Sequence, residues 1–275
     1  GKVLVAFCHY PAAGFHNGAD SVISRWAGDK AFNMHRNPPR ELTDALLKAG
    51  IKIHFAGHLH QNNTAVADDG QGHVMYNIQV PSVSAYMPAY KILTVCGDSL
   101  CRVQTVVLDS VPKFRSLWPR YFSEYKHDIA SGTETWNTDI LYSGDYPSFC
   151  DMHFRALVAS RYVERELPSV VGDSIVSMNG SQLMGMAGVK ESPEQPAAWT
   201  GLDLVTDLYR LHFAGSLALR QIPQWRISQY EAMLRSFEGK KTENNKLLDS
   251  LKNICLLIKY FSSGAPDNSF DIRLK

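Results

Sequence analysis

Long apolar runs are missing from this sequence: none approaches the roughly 18 residues needed to cross a bilayer, so no membrane span is expected. An excess of either charge is missing too. Lys and Arg number 28 against 27 Asp and Glu, a net charge of +1, which gives no signal for nucleic-acid binding through an electrostatic patch. Cysteine is scarce. The five (Cys8, Cys96, Cys101, Cys150, Cys255) are odd in number and scattered, which argues against a disulfide scaffold. Cys96 and Cys101 flank Gly97-Asp98-Ser99-Leu100 and could face each other across a hairpin, but unpaired buried thiols are the expected state. There is no Gly-x-Ser-x-Gly elbow, no Gly-Lys-Ser/Thr after Gly14 and Gly18, no thiol-nucleophile context, no internal repeat and no low-complexity segment. Serine and cysteine nucleophiles and a nucleotide phosphate loop therefore have no support.

What is present is ample core material, 45% apolar in 275 residues, arranged in two textures. Up to about residue 112, short apolar runs alternate with turn clusters. Val3 to Cys8 is continuously apolar, as in a strand covered on both faces. Pro38-Pro39 opens a helix that Gly50 closes, and Ile51, Ile53 and Phe55 then alternate with polar or small residues. Strand, helix, strand predicts a βαβ unit with parallel strands and a right-handed crossover. Two hairpins should follow, Thr64 to Ala67 with His73 to Gln79, and Tyr90 to Cys96 with Cys101 to Leu108. From Val111 the pattern is helical, with candidates at Tyr146–Glu166 and Ser169–Met186 and around Leu202–His212, Ile227–Phe237 and Leu247–Phe261. Lys190 to Thr200 reads as a loop. The fold class is α/β (α+β), with an α/β region at 1–112 and a mostly helical region at 113–275.

Two strand ends hold the chemistry. Phe7-Cys8-His9-Tyr10-Pro11 and Phe55-Ala56-Gly57-His58-Leu59-His60 each place histidine at the carboxyl end of a strand, where α/β sheets bind ligands. Parallel strands bring both motifs to one edge, so His9 should approach His58 and His60. With one residue between them, extended backbone would aim His58 and His60 the same way, about 6–7 Å apart. That suits two ions about 3.5–4 Å apart, and imidazole does not distinguish Zn, Mn and Fe. His16 reads as a turn residue, His35-Arg36 as surface loop able to reach a phosphate, His54 as structural, and His212 as a packing residue. His73, His127 and His153 have no motif around them.

The strand ending in His-x-Pro, the crossover helix and the strand ending in Gly-His-Leu-His resemble the last two signature blocks of calcineurin-like metallophosphoesterases. The run Tyr76-Asn77-Ile78-Gln79-Val80-Pro81-Ser82 and then Tyr90 to Val95 is similar as well, so the resemblance covers roughly Lys2 to Leu108. It implies the C-terminal half of a metallophosphoesterase-type β-sandwich, followed by the helical region. It also implies hydrolysis of phosphate esters and two divalent metal ions, with His9 and His58 on one ion and His60 on the other. The family's Asp-x-His, Gly-Asp-x-x-Asp and Gly-Asn-His blocks do not occur in this chain. Neutral imidazoles cannot alone offset two adjacent dications, so one ion or none is expected, with little activity. A single-zinc hydrolase on three histidines is a further possibility. So is a non-catalytic interaction module whose functional surface is the helical region. The chain opens Gly1-Lys2 and reads as strand from Val3, so the natural start is expected upstream, with Gly1 the remnant of a cleaved tag. A signal peptide would lie there too, which leaves localisation unread. The uncovered sheet edge predicts self-association or pairing with a chain carrying the missing N-terminal half.

Overall fold

A computed structural model describes residues 4–133 and 135–274. It is a mixed α/β structure with two small sheets. The first sheet contains β1 (Val5–Cys8), β2 (Ile53–Ala56), β3 (Asn63–Asp68) and β4 (Val74–Gln79), in the order β1-β2-β4-β3. β1 pairs with β2 in parallel, Cys8 opposite Ala56, after a crossover through α1 (Asp20–Trp26) and α2 (Arg40–Lys48). β2 also runs parallel to β4, and β3 closes back on β4 as the expected antiparallel hairpin. Three strand ends, those of β1, β2 and β4, therefore emerge on one edge of this sheet.

The second sheet joins β5 (Ala89–Cys96) and β6 (Leu100–Val107) to β7 (Ser269–Arg273). β7 lies in the region read as mostly helical, where no strand was expected. Its signal is short: Phe270 and Ile272 alternate with Ser269, Asp271 and Arg273, and only Ile272 is fully buried. Opposite β7, Arg102 forks onto Asp271 at 2.8 and 3.0 Å. The hairpin register pairs Cys96 with Leu100 and Val95 with Cys101. One residue of offset turns the two thiols to opposite faces, and all five cysteines are free.

Ile53, Phe55 and Ile78 of the first sheet share an apolar cluster with Cys101, Val103 and Ile272 of the second. The other face of the first sheet receives α2, through Leu47 against Met75, Ala12 and Ala13. β1 departs from the covered strand its apolar run suggested: Leu4 is 49% and Phe7 76% exposed. It has a neighbour on one side only, and Phe7 rests on Phe55 at 5.3 Å.

The remaining helices are α3 (Trp118–Ser131), α4 (Tyr146–Leu157), α5 (Val163–Glu166), α6 (Ser169–Asp173), α7 (Gly180–Ala187), α8 (Gly201–Ala214), α9 (Gln224–Ser236) and α10 (Lys246–Phe261). α4 starts where the Asp145 side chain accepts the Ser148 amide and Pro147 occupies the first turn. It continues into α5 through a π-helical turn, Val158–Tyr162, and stops before Pro168. The stretch from Ser169 to Met186 is broken rather than continuous. Asn179 and Gln182 form a capping box that starts α7 afresh, and Gly180 sits so close to Ala197 and Trp199 that a Cβ would meet atoms at 2.7 Å. The largest apolar cluster draws Ile23, Phe32 and Tyr86 together with Leu208, Tyr209, Ile254 and Phe261, from both sides of residue 112.

A polar pin ties the sheets to the C-terminal segment. Lys91 Nζ donates to Asn62 Oδ1, Thr105 Oγ1 and the Asp267 carbonyl at 2.6–2.9 Å, and the Asp267 carboxylate accepts the Thr64 amide. Burial pushes the Asp267 carboxyl up to about 6 from 3.8, and Lys91 down to about 8 from 10.5. Between pH 3.8 and 6 the folded chain keeps a proton that the unfolded chain has lost. Asp267 therefore favours the fold at acid pH, and that contribution disappears as pH rises through about 6. Lys91 behaves oppositely: its contribution is present above 10.5 and lost as pH falls through about 8. The unfolding free energy of Asp267→Asn, relative to the parent, should gain on the order of 3 kcal/mol between pH 4 and pH 7. A difference that stays flat over that range would refute the assignment.

Candidate metal and phosphate site

β1 and β2 end side by side, and their continuations are sewn together. The His9 carbonyl accepts the Gly57 and His58 amides at 3.3 and 2.8 Å. This clamp brings His58 Nδ1 to 2.8 Å from His9 Nε2, one ring donating and the other accepting. The Tyr10 ring lies 4.3 Å from the His58 ring and 5.0 Å from that of His9, and Arg36 stands 5.4 Å over Tyr10. His9 and His58 therefore meet as the strand-end reading requires.

His60 lines a cleft together with His58, though not with His9. The backbone leaves strand geometry after Ala56, folds into a turn closed from the His60 amide to the Gly57 carbonyl, and holds His60 at φ 54°. The extended His58-Leu59-His60 geometry thus gives way to a tight turn in which Leu59 is buried and His60 exposed. The next residues fasten this turn to α8. Gln61 Nε2 meets His212 Nε2 at 2.9 Å, and the Asn62 amide donates to the Phe213 carbonyl.

The cleft has a volume of about 360 Å³ and runs from His58 and His60 to the helical side, where His153, Arg161 and Glu166 line it with Asn33 and Ser84. Ser84 follows β4, so that strand end contributes too. α4 and the π-helical turn supply His153 and Arg161, and such turns recur at functional sites. Nothing near His153 or Arg161 in the sequence marked them. Their helical spacing to Cys150, Phe154 and Leu157 was the available signal, but no pattern said which face would meet the histidines.

The electrostatics favour an anion. Slight burial and the charges of His9, Arg36, His60 and His35, in that order, lower the His58 pKa. Every charged neighbour in that set is basic. On the far wall, burial raises the Glu166 carboxyl against the Phe32 amide and Tyr209 hydroxyl that it accepts. Burial pushes the Cys150 thiol up to about 11, so it stays protonated at neutral pH and is no nucleophile.

His16, His54 and His212 are committed elsewhere. His16 is fully buried between Asp20 at 3.0 Å and the Phe32 carbonyl at 2.8 Å, which leaves neither nitrogen for a substrate. His54 bonds Asn77 at 2.9 Å, and burial drives His212 well below its usual range. His35 and Arg36 are exposed.

As a metal site the donor set is lean. His9 and His58 present nitrogens close to the separation of two ligands on one ion, given Zn–N bonds of about 2.0–2.1 Å. No carboxylate stands beside them, and among the described residues no group of three or more His, Cys, Asp or Glu side chains is placed to hold an ion. Two histidine nitrogens would supply only part of the coordination of one ion, the rest falling to water or substrate oxygen; they do not fit a pair. Among the described residues no helix is long and apolar enough to cross a membrane. No protein-family model matches the chain, and no curated protein sequence matches it.

Proposed function

We propose that the chain is the C-terminal part of a metal-dependent hydrolase of phosphate esters of the calcineurin-like class, its two sheets forming that half of the sandwich. The observation that carries this is the contact of His9 with His58 at the ends of adjacent parallel strands, inside a basic rim. A divalent ion on His9 and His58 would supply Lewis-acid charge to a phosphate oxygen and acidify a bound water. His60, His35 and Arg36 offset the phosphate's negative charge, while Arg161 and His153 approach it from the helical wall. Two ions would need anionic ligands absent from this cluster, so the centre as it stands is incomplete and its turnover low. The free edge of β1 supports pairing with another strand, from a second copy or from a chain carrying the missing blocks.

Metal analysis after dialysis against Zn, Mn or Fe, with an aryl phosphate assay, tests the reading. The expected result is up to one ion per chain and a turnover that a chelator abolishes and the metal restores. Chelator-insensitive turnover, or no metal retained at all, would count against it. That no three-donor cluster occurs among the described residues favours a second reading, a non-catalytic interaction module. That reading predicts neither metal nor turnover, together with partner binding that survives loss of His58.

A further inference from the structure

α4 is a partition between two cavities. Cys150, His153, Phe154 and Leu157 face the histidine cleft, whereas Phe149, Met152, His153 and Ala156 face a second pocket of about 460 Å³. Both sets are spaced i, i+3, i+4, i+7, two neighbouring stripes on one helix, and His153 belongs to both. The far side of the second pocket is built from Tyr121 of α3, Trp136, and Ile140 and Leu141 of the single-turn segment Thr138–Tyr142. Among the described residues, Glu124, Asn137 and His153 are the charged, amide or imidazole groups in its lining. Polarity therefore changes across one side chain: histidines, Arg161 and Glu166 on one side of His153, mostly aromatic and aliphatic groups beside Glu124 on the other.

We infer that the ligand is an amphiphilic phosphate ester, its phosphoryl group in the histidine cleft and a bulky apolar body in the pocket beyond His153. This rests on the phosphoesterase reading of the cleft and adds the class of substrate. The size supports a small-molecule occupant, since such sites span roughly 300–1,000 Å³ and are mostly apolar with a few polar groups. The two cavities adjoin at His153, the residue common to both linings, which supports one molecule reaching from one into the other. Ala156 leaves space that a larger residue would close. An aryl and an alkyl body share the same chemistry, so the test separates them.

Zinc-supplemented protein is titrated calorimetrically with methylphosphonate, octylphosphonate and 2-naphthylmethylphosphonate, none of which can be hydrolysed. At least one of the two larger probes should bind tenfold or more tightly than methylphosphonate, and the tighter one identifies the body as alkyl or aryl. Ala156→Trp should erase that gain and leave methylphosphonate binding unchanged, which also shows that the variant is folded. Phe149→Ala should reduce the gain by a few-fold. Equal binding of all three probes would overturn the apolar-body inference and leave the phosphate reading standing. So would an advantage that survives Ala156→Trp. If none binds, the phosphate reading falls and this inference with it.

Discussion

His58→Ala is expected to lower kcat/KM for an aryl phosphate by two orders of magnitude or more, while unfolding free energy changes by less than about 1 kcal/mol. The asymmetry follows from where the side chain sits. His58 is only half-buried, its side-chain hydrogen bond is to His9, and its packing is against Tyr10. Removing it costs the fold little. For function it removes one of the two nitrogens that converge. His9→Ala should cost about as much, and the double variant scarcely more, because groups acting as a unit are far from additive. Chelator-sensitive turnover at the parent level in His58→Ala would end the proposal. Additive losses would instead mean that the two rings work at separate sites.

The largest stability effect is expected inside the helical region, at Asp207. Its side chain is fully buried and accepts from Arg210 at 2.7 Å, Arg226 at 3.0 Å and the Tyr230 hydroxyl at 3.0 Å. Arg210 also forks onto Asp151 of α4 at 2.8 and 2.6 Å. One carboxylate thus holds α8, α9 and, through Arg210, α4 in register. Asp207→Asn keeps the shape but removes the charge and presents an amide donor to donors. Arg226 loses its carboxylate partner and Arg210 keeps Asp151 alone, which should cost on the order of 3 kcal/mol, read as a fall in the urea midpoint at unchanged slope. Arg226→Met should cost clearly less, since Arg210 and Tyr230 still satisfy the carboxylate. A loss below about 1 kcal/mol for Asp207→Asn would show that water reaches the network. Because α4 carries His153, the same change should loosen the cleft wall.

The histidine pair was legible because it depends on few rules. Two apolar strands joined through a helix must be parallel, and histidine at the end of each must then share an edge. The hairpins were legible from glycine-rich turns between alternating runs. What was not legible depends on long-range packing. His153 and Arg161 are ordinary helix residues until α4 is laid against the Gly57–His60 turn. The turn itself misled, because the strand ends at Ala56, four residues short of the extended backbone expected through His60, which is left-handed. β1 was read from composition as covered, but coverage belongs to neighbours, and the second sheet does not extend over Phe7. β7 is five residues with one buried side chain, too little pattern to outweigh the helical run before it.

That last strand bears on how the molecule is made. Arg102 and Asp271 are partners 169 residues apart in the chain, so β6 lacks its second neighbour until Ser269–Arg273 has been made. A nascent β5–β6 ribbon must meanwhile carry Cys101 and Val103, both buried in the finished structure, without the residue that covers them. Non-local closure of this kind is slow and leaves sticky intermediates. Shortening the C-terminal end by a handful of residues should therefore harm yield far more than the size of the deletion suggests.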